Sequence, residues 1–334
     1  MGVNIRDLLT RHEIEISDLQ GRKLAFDAFN IIFQFLSTIR QRDGTPLMDS
    51  RGNVTSHLSG LFYRTTNFLL EGIQPVFVFD GKPPQEKYET VERREQVRTS
   101  ARVKHKEALE KGDHREAMRY GQQTSYLTTA MIMESKELLS AMGIPWVQAI
   151  SEGEAQAAYL CRKGLVWGMV SQDYDSLLFG TPILIRNLTI SGRRKLPKQQ
   201  KYVEIKPELI DLTENLNKLG VDIKSLIKIA ILIGTDYNAG IKGIGPKTAL
   251  KVVREGRFDE YREHIKNVDK IISIFQNPPI TTDYSLEWTQ PDKKKILSIM
   301  CDRHDFAKER IESQVKKLTQ AKKKATQSGL KQFI

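Results

Sequence analysis

The chain has 334 residues, 40% of them hydrophobic, enough to bury the core of one elaborated domain or two smaller ones and too many for a disordered chain. Lys and Arg number 52 against 41 Asp and Glu, a net charge of +11, so the surface carries positive fields that suit nucleic acid first and an acidic membrane second. No apolar run approaches the roughly 20 residues of a spanning helix, and two cysteines, Cys161 and Cys301, with no CxxC pair, argue against a disulfide framework or a zinc site.

The start, MGVNIRDLL, lacks the basic and apolar regions of a signal peptide and departs from the myristoylation pattern at Arg6. A reducing, cytoplasmic location is the expectation. In chain order, KLAFD (23–27) is a short apolar run ending in an acid, and Phe29 to Ile39 then has apolar residues at helical spacing. VFVF (76–79) is a second such run, followed by Asp80 and by GKPP, which stops a strand. Val166 to Val170 is a third, with Asp173 just beyond it. Trp146–Ala149, Ile183–Ile185 and Tyr202–Ile205 are further strand candidates. Helical segments separate most of these, which predicts a mainly parallel sheet in an α/β domain.

Strand followed by acid is the recurring order. Ligand sites in open α/β sheets form outside the carboxyl ends of strands, where Asp27, Asp80 and Asp173 fall. A single Asp there is more often a turn or helix cap; three of them, with the pairs Glu152/Glu154 and Asp173/Asp175 at the two ends of SEGEAQAAYLCRKGLVWGMVSQDYD (151–175), point to a shared site. Glu154 also fits a capping box with Ser151 as N-cap, and Glu152 fits a first helical turn.

Between these motifs, residues 87–119 are charged, rich in Ala and Glu and nearly free of large apolar side chains, with a break at Gly112–Asp113. The expectation is a helical hairpin, mostly solvated, standing over an acid site. RRKLPKQQK (193–201) reads as a basic loop. Leu226 to Ile233 is apolar and leads into Asp236, then GIKGIGPKTALKVV (240–253), where glycine-rich turns open a helix whose N-terminal amides suit phosphate. Residues 277–292 read as a surface loop, and the chain turns Lys-rich after Ile311.

Seven acids, Asp27, Asp80, Glu152, Glu154, Asp173, Asp175 and Asp236, cannot all stay ionised side by side unless cations neutralise them. No His lies near them in sequence, and hard oxygen ligands suit Mg²⁺, with Mn²⁺ as a substitute. Two ions in such a site stabilise the attacking and leaving oxygens of phosphodiester hydrolysis. A glycosidase needs only two carboxylates and leaves the basic surface unexplained.

FDAFN (26–30), VFVFDGKPPQEK (76–87), ISEGEAQAAYL (150–160), SQDYDSLLFG (171–180), ILIGTDYNAGIKGIGPKTAL (231–250) and the terminal QSGLKQFI together resemble the flap endonucleases, over nearly the whole chain. The resemblance implies a 5′ nuclease fold related to PIN domains, its twisted, mainly parallel central sheet flanked by helices, with a helical arch over roughly 82–130 and a helix–three-turn–helix over roughly 226–256. It implies one nuclease domain, 1–320, and a basic tail, 321–334. It also implies structure-specific hydrolysis of flapped or nicked DNA at single-strand/duplex junctions in replication and repair.

By the same resemblance the seven acids hold two Mg²⁺ ions: Asp80, Glu152, Glu154 and Asp173 around one, Asp175 and Asp236 nearer the other, and Asp27 behind them. Lys87 and Arg94 steer the scissile phosphate. Gly2, Phe33 and Arg93 meet the DNA near the cut, and Lys242, Gly243, Gly245 and Lys247 hold the duplex, with a monovalent cation. Phe33 stands where relatives often carry Tyr, keeping a stacking face without the hydroxyl. In the tail, Gln327, Leu330 and Phe333 resemble a sliding-clamp (PCNA) motif whose last aromatic is replaced by Ile334, and the tail's shortness is similar to archaeal members. A monomer without membrane contact is expected. The rival readings are a 5′–3′ exonuclease of the same family and a non-catalytic DNA-junction and clamp adaptor, which has no use for seven acids facing phosphates.

Overall fold

The computed structural model describes residues 2–190, 192–195 and 202–331, with residues 190, 192–195, 202–204 and 323–331 described as backbone only. Nine strands occur among them: β1 (His12–Glu13), β2 (Lys23–Asp27), β3 (Gln74–Phe79), β4 (Trp146–Gln148), β5 (Gly168–Val170), β6 (Ile183–Arg186), β7 (Gly192–Lys195), β8 (Tyr202–Ile205) and β9 (Glu208–Asp211). Seven form one sheet in the order β1-β9-β6-β5-β2-β3-β4, parallel from β6 to β4 and antiparallel at the β6-β9-β1 edge. The mainly parallel α/β sheet expected from the sequence is therefore present.

Alternation along the central strands sorts their side chains by size onto two faces. Leu24, Phe26, Phe77 and Phe79 join one apolar cluster with helices Ala28–Thr38 and Ser56–Leu70. The Phe26 ring lies 5.3 Å from that of Phe77 and 5.2 Å from that of Phe68. Each such buried ring contributes about 1.5–3 kcal/mol. On the opposite face only Ala25, Val76, Val78, Val147 and Met169 appear, and they pack with Ala157 and Leu160 of helix Gly153–Arg162. Small residues on both sides let that helix lie close to the sheet, which fixes where its first turn, with Glu154, can reach.

The chain direction reverses at β2. From β2 the chain proceeds to β3 and β4 on one side, then crosses to β5 and β6 on the other. A crevice opens at the carboxyl ends of strands at such a switch point. The register sets Asp27 beside Val78 and Phe26 beside Val170, so Asp27, Asp80 and Asp173 leave the same sheet edge at adjacent strands.

The polar hairpin is an arch. Helix Tyr88–Glu110 has 23 residues, about 35 Å of helix at 1.5 Å each, and buries only Ala101 and Ala108. Gly112 takes the left-handed conformation (φ +69°) at the bend, and Asp113 caps helix His114–Gly121 through the amides of Arg115 and Glu116. Helix Ile223–Ile233, a turn-rich connection and helix Pro246–Arg254 form the second expected module.

Three local expectations change. Ser151 is not the cap of helix Gly153–Arg162: Glu152 is, without a side-chain bond, and the Gly153 amide donates to Asp80 Oδ1 across the sheet edge at 2.6 Å. Glu154 thus loses the local structural role that the capping box offered it. The third apolar run is shorter than expected, because Val166 and Trp167 belong to the turn that precedes β5. The basic stretch 193–201 begins as β7, paired with β8, and its remaining residues 196–201 lie outside the described residues; β7 and β8 form a separate ribbon, so Tyr202–Ile205 is a strand but not of the main sheet. Helix Lys308–Lys331 is the last described element, and its Lys-rich end has helix-forming composition. The 277–292 segment is a loop as expected, fastened where Gln156 bonds both polar backbone atoms of Thr281.

Candidate active site

The seven acids reach the sheet edge from five segments. Asp27 ends β2 and caps helix Ala28–Thr38, accepting from the Asn30 amide at 3.0 Å. Asp80 follows β3 in a loop clamped to the next one: the Gly81 amide donates to Ser151 O at 2.6 Å and the Lys82 amide to Ile150 O at 3.1 Å. A Cβ on Gly81 would stand 2.2 Å from Ile150 O, so only glycine permits this approach. The Glu152 and Glu154 pair opens helix Gly153–Arg162, Asp173 and Asp175 flank the turn after β5, and Asp236 follows the end of helix Ile223–Ile233.

All seven line one cavity of about 380 Å³, with Lys87 and Arg94 of the arch and the ring of Phe33. Asn30 Nδ2 donates to Asp173 Oδ2 at 3.0 Å, joining the ends of β2 and β5. The Ser171 hydroxyl donates to Glu154 at 3.3 Å and accepts from the Asp173 amide at 3.1 Å. The chain start closes one side, with the Gly2 amide on Asp173 at 3.2 Å and the Val3 amide on Asp175 at 2.5 Å. A side chain at Gly2 would stand 2.7 Å from the Asp175 carboxylate.

Two cations face these acids. Lys87 Nζ is 2.6 Å from Glu152 and 3.6 Å from Asp236, and Arg94 bonds both Asp236 oxygens at 2.8 Å. That leaves the charge far from balanced. Burial raises the Asp80 carboxyl to about 6, with Glu152 adding repulsion, and the Asp175 carboxyl to about 7, with Asp236 adding repulsion against the pull of the Val3 amide. Asp27 and Glu154 are pushed well above the ordinary range by burial, then by Asp80 and Asp175 respectively. Burial alone would favour a neutral Lys87, but Glu152, Asp80 and Asp236 hold its pKa above that of an ordinary lysine. Among the described residues no three acid, His or Cys side chains already form a closed ion cage. The carboxylates stand around a hollow instead, an all-oxygen donor set with surplus negative charge, which fits hard divalent cations.

The other expected DNA residues lie elsewhere. Arg93 turns from the acids into an adjoining hollow of about 740 Å³, which also takes Phe33, Arg94 and Arg98. Phe33 is half-buried at the junction of the two hollows rather than in the core, with the Arg98 guanidinium 5.7 Å from its ring centre. Lys242, Gly243, Gly245 and Lys247 are exposed on the turn and first residues before and within helix Pro246–Arg254, where Gly243 has φ +88°. Gln327 and Leu330 lie in the backbone-only part of the last helix and Phe333 lies outside the described residues. Sequence reasoning missed Asn30 and Ser171. Each was legible only as a neighbour of an acid, since Asn30 follows Asp27 by three residues, where a cap's amide partner belongs, and Ser171 precedes Asp173 by two.

Comparison with known proteins fits this geometry. Family models described as the XPG N-terminal domain and the XPG I-region match residues 1–101 and 143–236. A curated flap endonuclease 1 of Pyrococcus abyssi is 54% identical over all of this chain and 98% of its own length. The chain belongs to the flap endonuclease family. A solved flap endonuclease-1 from Methanococcus jannaschii superposes with TM-score 0.77 at 43% identity, covering 96% of this chain and 98% of that one. The catalytic core of Rad2 in complex with DNA substrate is similar at TM-score 0.69 and 26% identity, over 95% of this chain and all of that one. This flap endonuclease is a structure-specific 5′ nuclease, a DNA phosphodiester hydrolase of replication and repair, and it is metal-dependent, as its family is. Among the described residues no helix is long and apolar enough to cross a membrane.

Proposed function

We propose that the seven acids bind two Mg²⁺ ions, for which Mn²⁺ can substitute, and that the cut falls in this cavity, at the junction of a 5′ single strand with duplex DNA. One observation carries the proposal: seven carboxylates from five segments share one cavity with only two cationic side chains. Divalent ions held there supply neutralising charge at the reacting phosphate and acidify water for attack. Asp80, Glu152, Glu154 and Asp173 hold one ion, Asp175 and Asp236 lie nearer the other, and Asp27 supports them from behind.

Lys87 and Arg94 then exchange Glu152 and Asp236 for the scissile phosphate. Both stand on the arch beside the acids, and Arg94, whose Nη2 now donates to both oxygens of Asp236, leaves its remaining donors for a phosphate. Phe33 stacks on the base beside the cut, Gly2 keeps the chain start against the acids, and Arg93 guides the single strand in the adjoining hollow. Lys242, Gly243, Gly245 and Lys247 hold the duplex backbone, with a monovalent cation at the turn, since exposed amides at a helix start suit phosphate. The enzyme is organised as one nuclease domain (1–320) with a basic tail (321–334). It acts as an intracellular, nucleoid-associated monomer, and Gln327, Leu330 and Phe333 of the tail bind the sliding clamp PCNA.

Incubating a labelled 5′-flap duplex with Mg²⁺ and then with EDTA tests the reading. Cutting one product length at the junction, lost in EDTA, supports it. Binding without metal-dependent cutting means an adaptor, and stepwise release of mononucleotides means an exonuclease.

A further inference from the structure

The turn after β5 faces two ways. Asp173 and Asp175 line the acid cavity, while Tyr174 between them does not and is buried in the apolar cluster of Leu177, Leu184 and Ile210. On the cavity side, Asn30 and the amides of Gly2 and Val3 hold carboxylate oxygens, and Ser171 and Ser176 add bonds within the turn itself. The anchor that ties this turn to the neighbouring strand lies on the other side.

The ladder between β5 and β6 runs as far as Val170 beside Ile185, and the Ser171 amide still reaches Ile185 O at 3.3 Å. Past that point the next residue of β6, Arg186, continues the pairing with its side chain. Its Nε donates to Gln172 O at 3.1 Å, its Nη1 donates to the Tyr174 hydroxyl, and the guanidinium lies over the Tyr174 ring, 4.0 Å from the ring centre. A planar guanidinium can stack and donate in two directions at once, which a lysine ammonium cannot.

Arg186 is itself held in place. Opposite it in the antiparallel pair stands Glu208 of β9, which accepts from Arg186 at 3.3 Å and, through its other oxygen, from Arg11 at 2.7 Å. Only 16% of the Arg186 side chain is exposed, so water competes weakly for these bonds. The acid turn is thus referred to β6 and to the sheet edge beyond it.

We infer that Arg186 is a positioning residue: by stacking on Tyr174 and bonding Gln172 O it fixes the turn that presents Asp173 and Asp175, so that both carboxylates face the cavity at a set spacing before an ion arrives. This rests on the reading that the seven acids bind divalent cations. Partners of metal ligands are worth about 10–100-fold in metal affinity, and a clasp on the ligands' backbone, one bond further out, belongs at the lower end of that range.

The test measures Mn²⁺ binding to the full chain without DNA, from loss of the free-ion electron paramagnetic resonance signal, beside amide exchange of residues 172–175. Arg186→Ala weakens binding by about tenfold and quickens exchange of the turn, while exchange in β2 and β3 is unchanged. Arg186→Lys keeps the charge without the fork or the stack and weakens binding as much. Tyr174→Phe keeps the ring, loses the hydroxyl and weakens it less. In cutting of a 5′ flap, Arg186→Ala raises the Mg²⁺ concentration giving half-maximal rate by the same factor. Glu134→Ala, at a residue that does not line the cavity, disturbs a His57 contact instead and leaves Mn²⁺ affinity at the wild-type value.

Unchanged affinity in Arg186→Ala overturns the inference. So does an equal loss in Glu134→Ala, and so does full recovery in Arg186→Lys, which would make charge alone responsible. If Arg186→Ala does not fold, Arg186→Lys and Tyr174→Phe decide by the same criteria. A wild-type chain that binds no Mn²⁺ and cuts no flap would defeat the functional reading instead, and exchange of the turn in the Arg186 variants would still decide whether the clasp holds it.

Discussion

Two clusters of sheltered ionisable groups sit in this protein, and they are built on opposite plans. In the acid cavity, carboxylates crowd carboxylates, and four have pKa values raised by burial and by one another. Elsewhere, Asp49, His304, Glu134 and His57 alternate acid with imidazole: His304 lies 3.1 Å from Asp49 and 3.3 Å from Glu134, which is 3.3 Å from His57. Burial would raise the Asp49 carboxyl, but bonds from Asn53, His304 and Arg51 hold it below the ordinary range, and His57 does the same for Glu134. Burial also lowers the pKa of His57. The second cluster sets an imidazole beside each acid and joins the 49–57 segment to helix Thr129–Ala141 and to the turn before the last helix. The first leaves its charge to be satisfied from outside. An uncompensated cluster is a site; a compensated one is a fastening.

The largest effect that tests this contrast is on the reaction. Asp80→Ala and Asp175→Ala abolish cutting of a 5′ flap while flap binding with Ca²⁺ persists in a gel-shift assay; loss of folding in both would make the cavity structural after all. Lys87→Ala and Arg94→Ala come next, each lowering kcat by about 10²–10³-fold, the cost of removing one donor aimed at developing charge, with KM little changed.

The pH response sharpens the comparison further. Asp80 and Asp175 have folded values of about 6 and about 7, above their unfolded values, so the folded metal-free chain keeps protons that the unfolded chain releases. Their contribution is most favourable at low pH and is lost as pH rises through about 6 to 7. If the acids bind Mg²⁺ as proposed, the ion displaces those protons, so the stabilisation it produces is larger at about pH 8 than at about pH 5, reaching about 2.7 kcal/mol at a hundredfold excess over Kd. Equal gains at both pH values in differential scanning fluorimetry would separate the ions from these acids.

The His cluster runs the other way. Depressed values for Asp49, Glu134 and His57 contribute stability that is present at neutral pH and lost on acidification. Glu134→Ala therefore destabilises by about 1–3 kcal/mol in urea unfolding at about pH 7, less at about pH 4, and leaves the cutting rate of the folded enzyme unchanged. Smallest of all is Lys106→Ala on the outer arch, whose pairing with Glu110 at 4.0 Å is open to solvent; it shifts stability by less than about 0.5 kcal/mol and cutting by less than about twofold.

Strand-then-acid order made β2, β3 and β5 legible together with Asp27, Asp80 and Asp173, because both the pleat period and the acid's position are local. The arch was legible for the same reason, through a charged helical composition broken at Gly112–Asp113. The cap of helix Gly153–Arg162 was not. Its partner is Asp80, more than seventy residues away, and a cap supplied across a sheet edge leaves no pattern beside the helix. The edge strands β1 and β9 escaped notice too, because β1 has two residues, both exposed, and β9 buries only Ile210, so neither shows an apolar run. The His57–Glu134–His304–Asp49 alternation draws its residues from three separate segments, and none of these is unusual where it stands.

Taken alone, the sequence determined which elements form and which residue types stand at their ends, since helix and strand periods, turn residues and charge are properties of neighbours along the chain. Tertiary structure alone decided which acids share a cavity, which cations answer them and which buried charges are already matched. Burial and Coulomb forces act through space, and their strength depends on distances that only the packed chain sets.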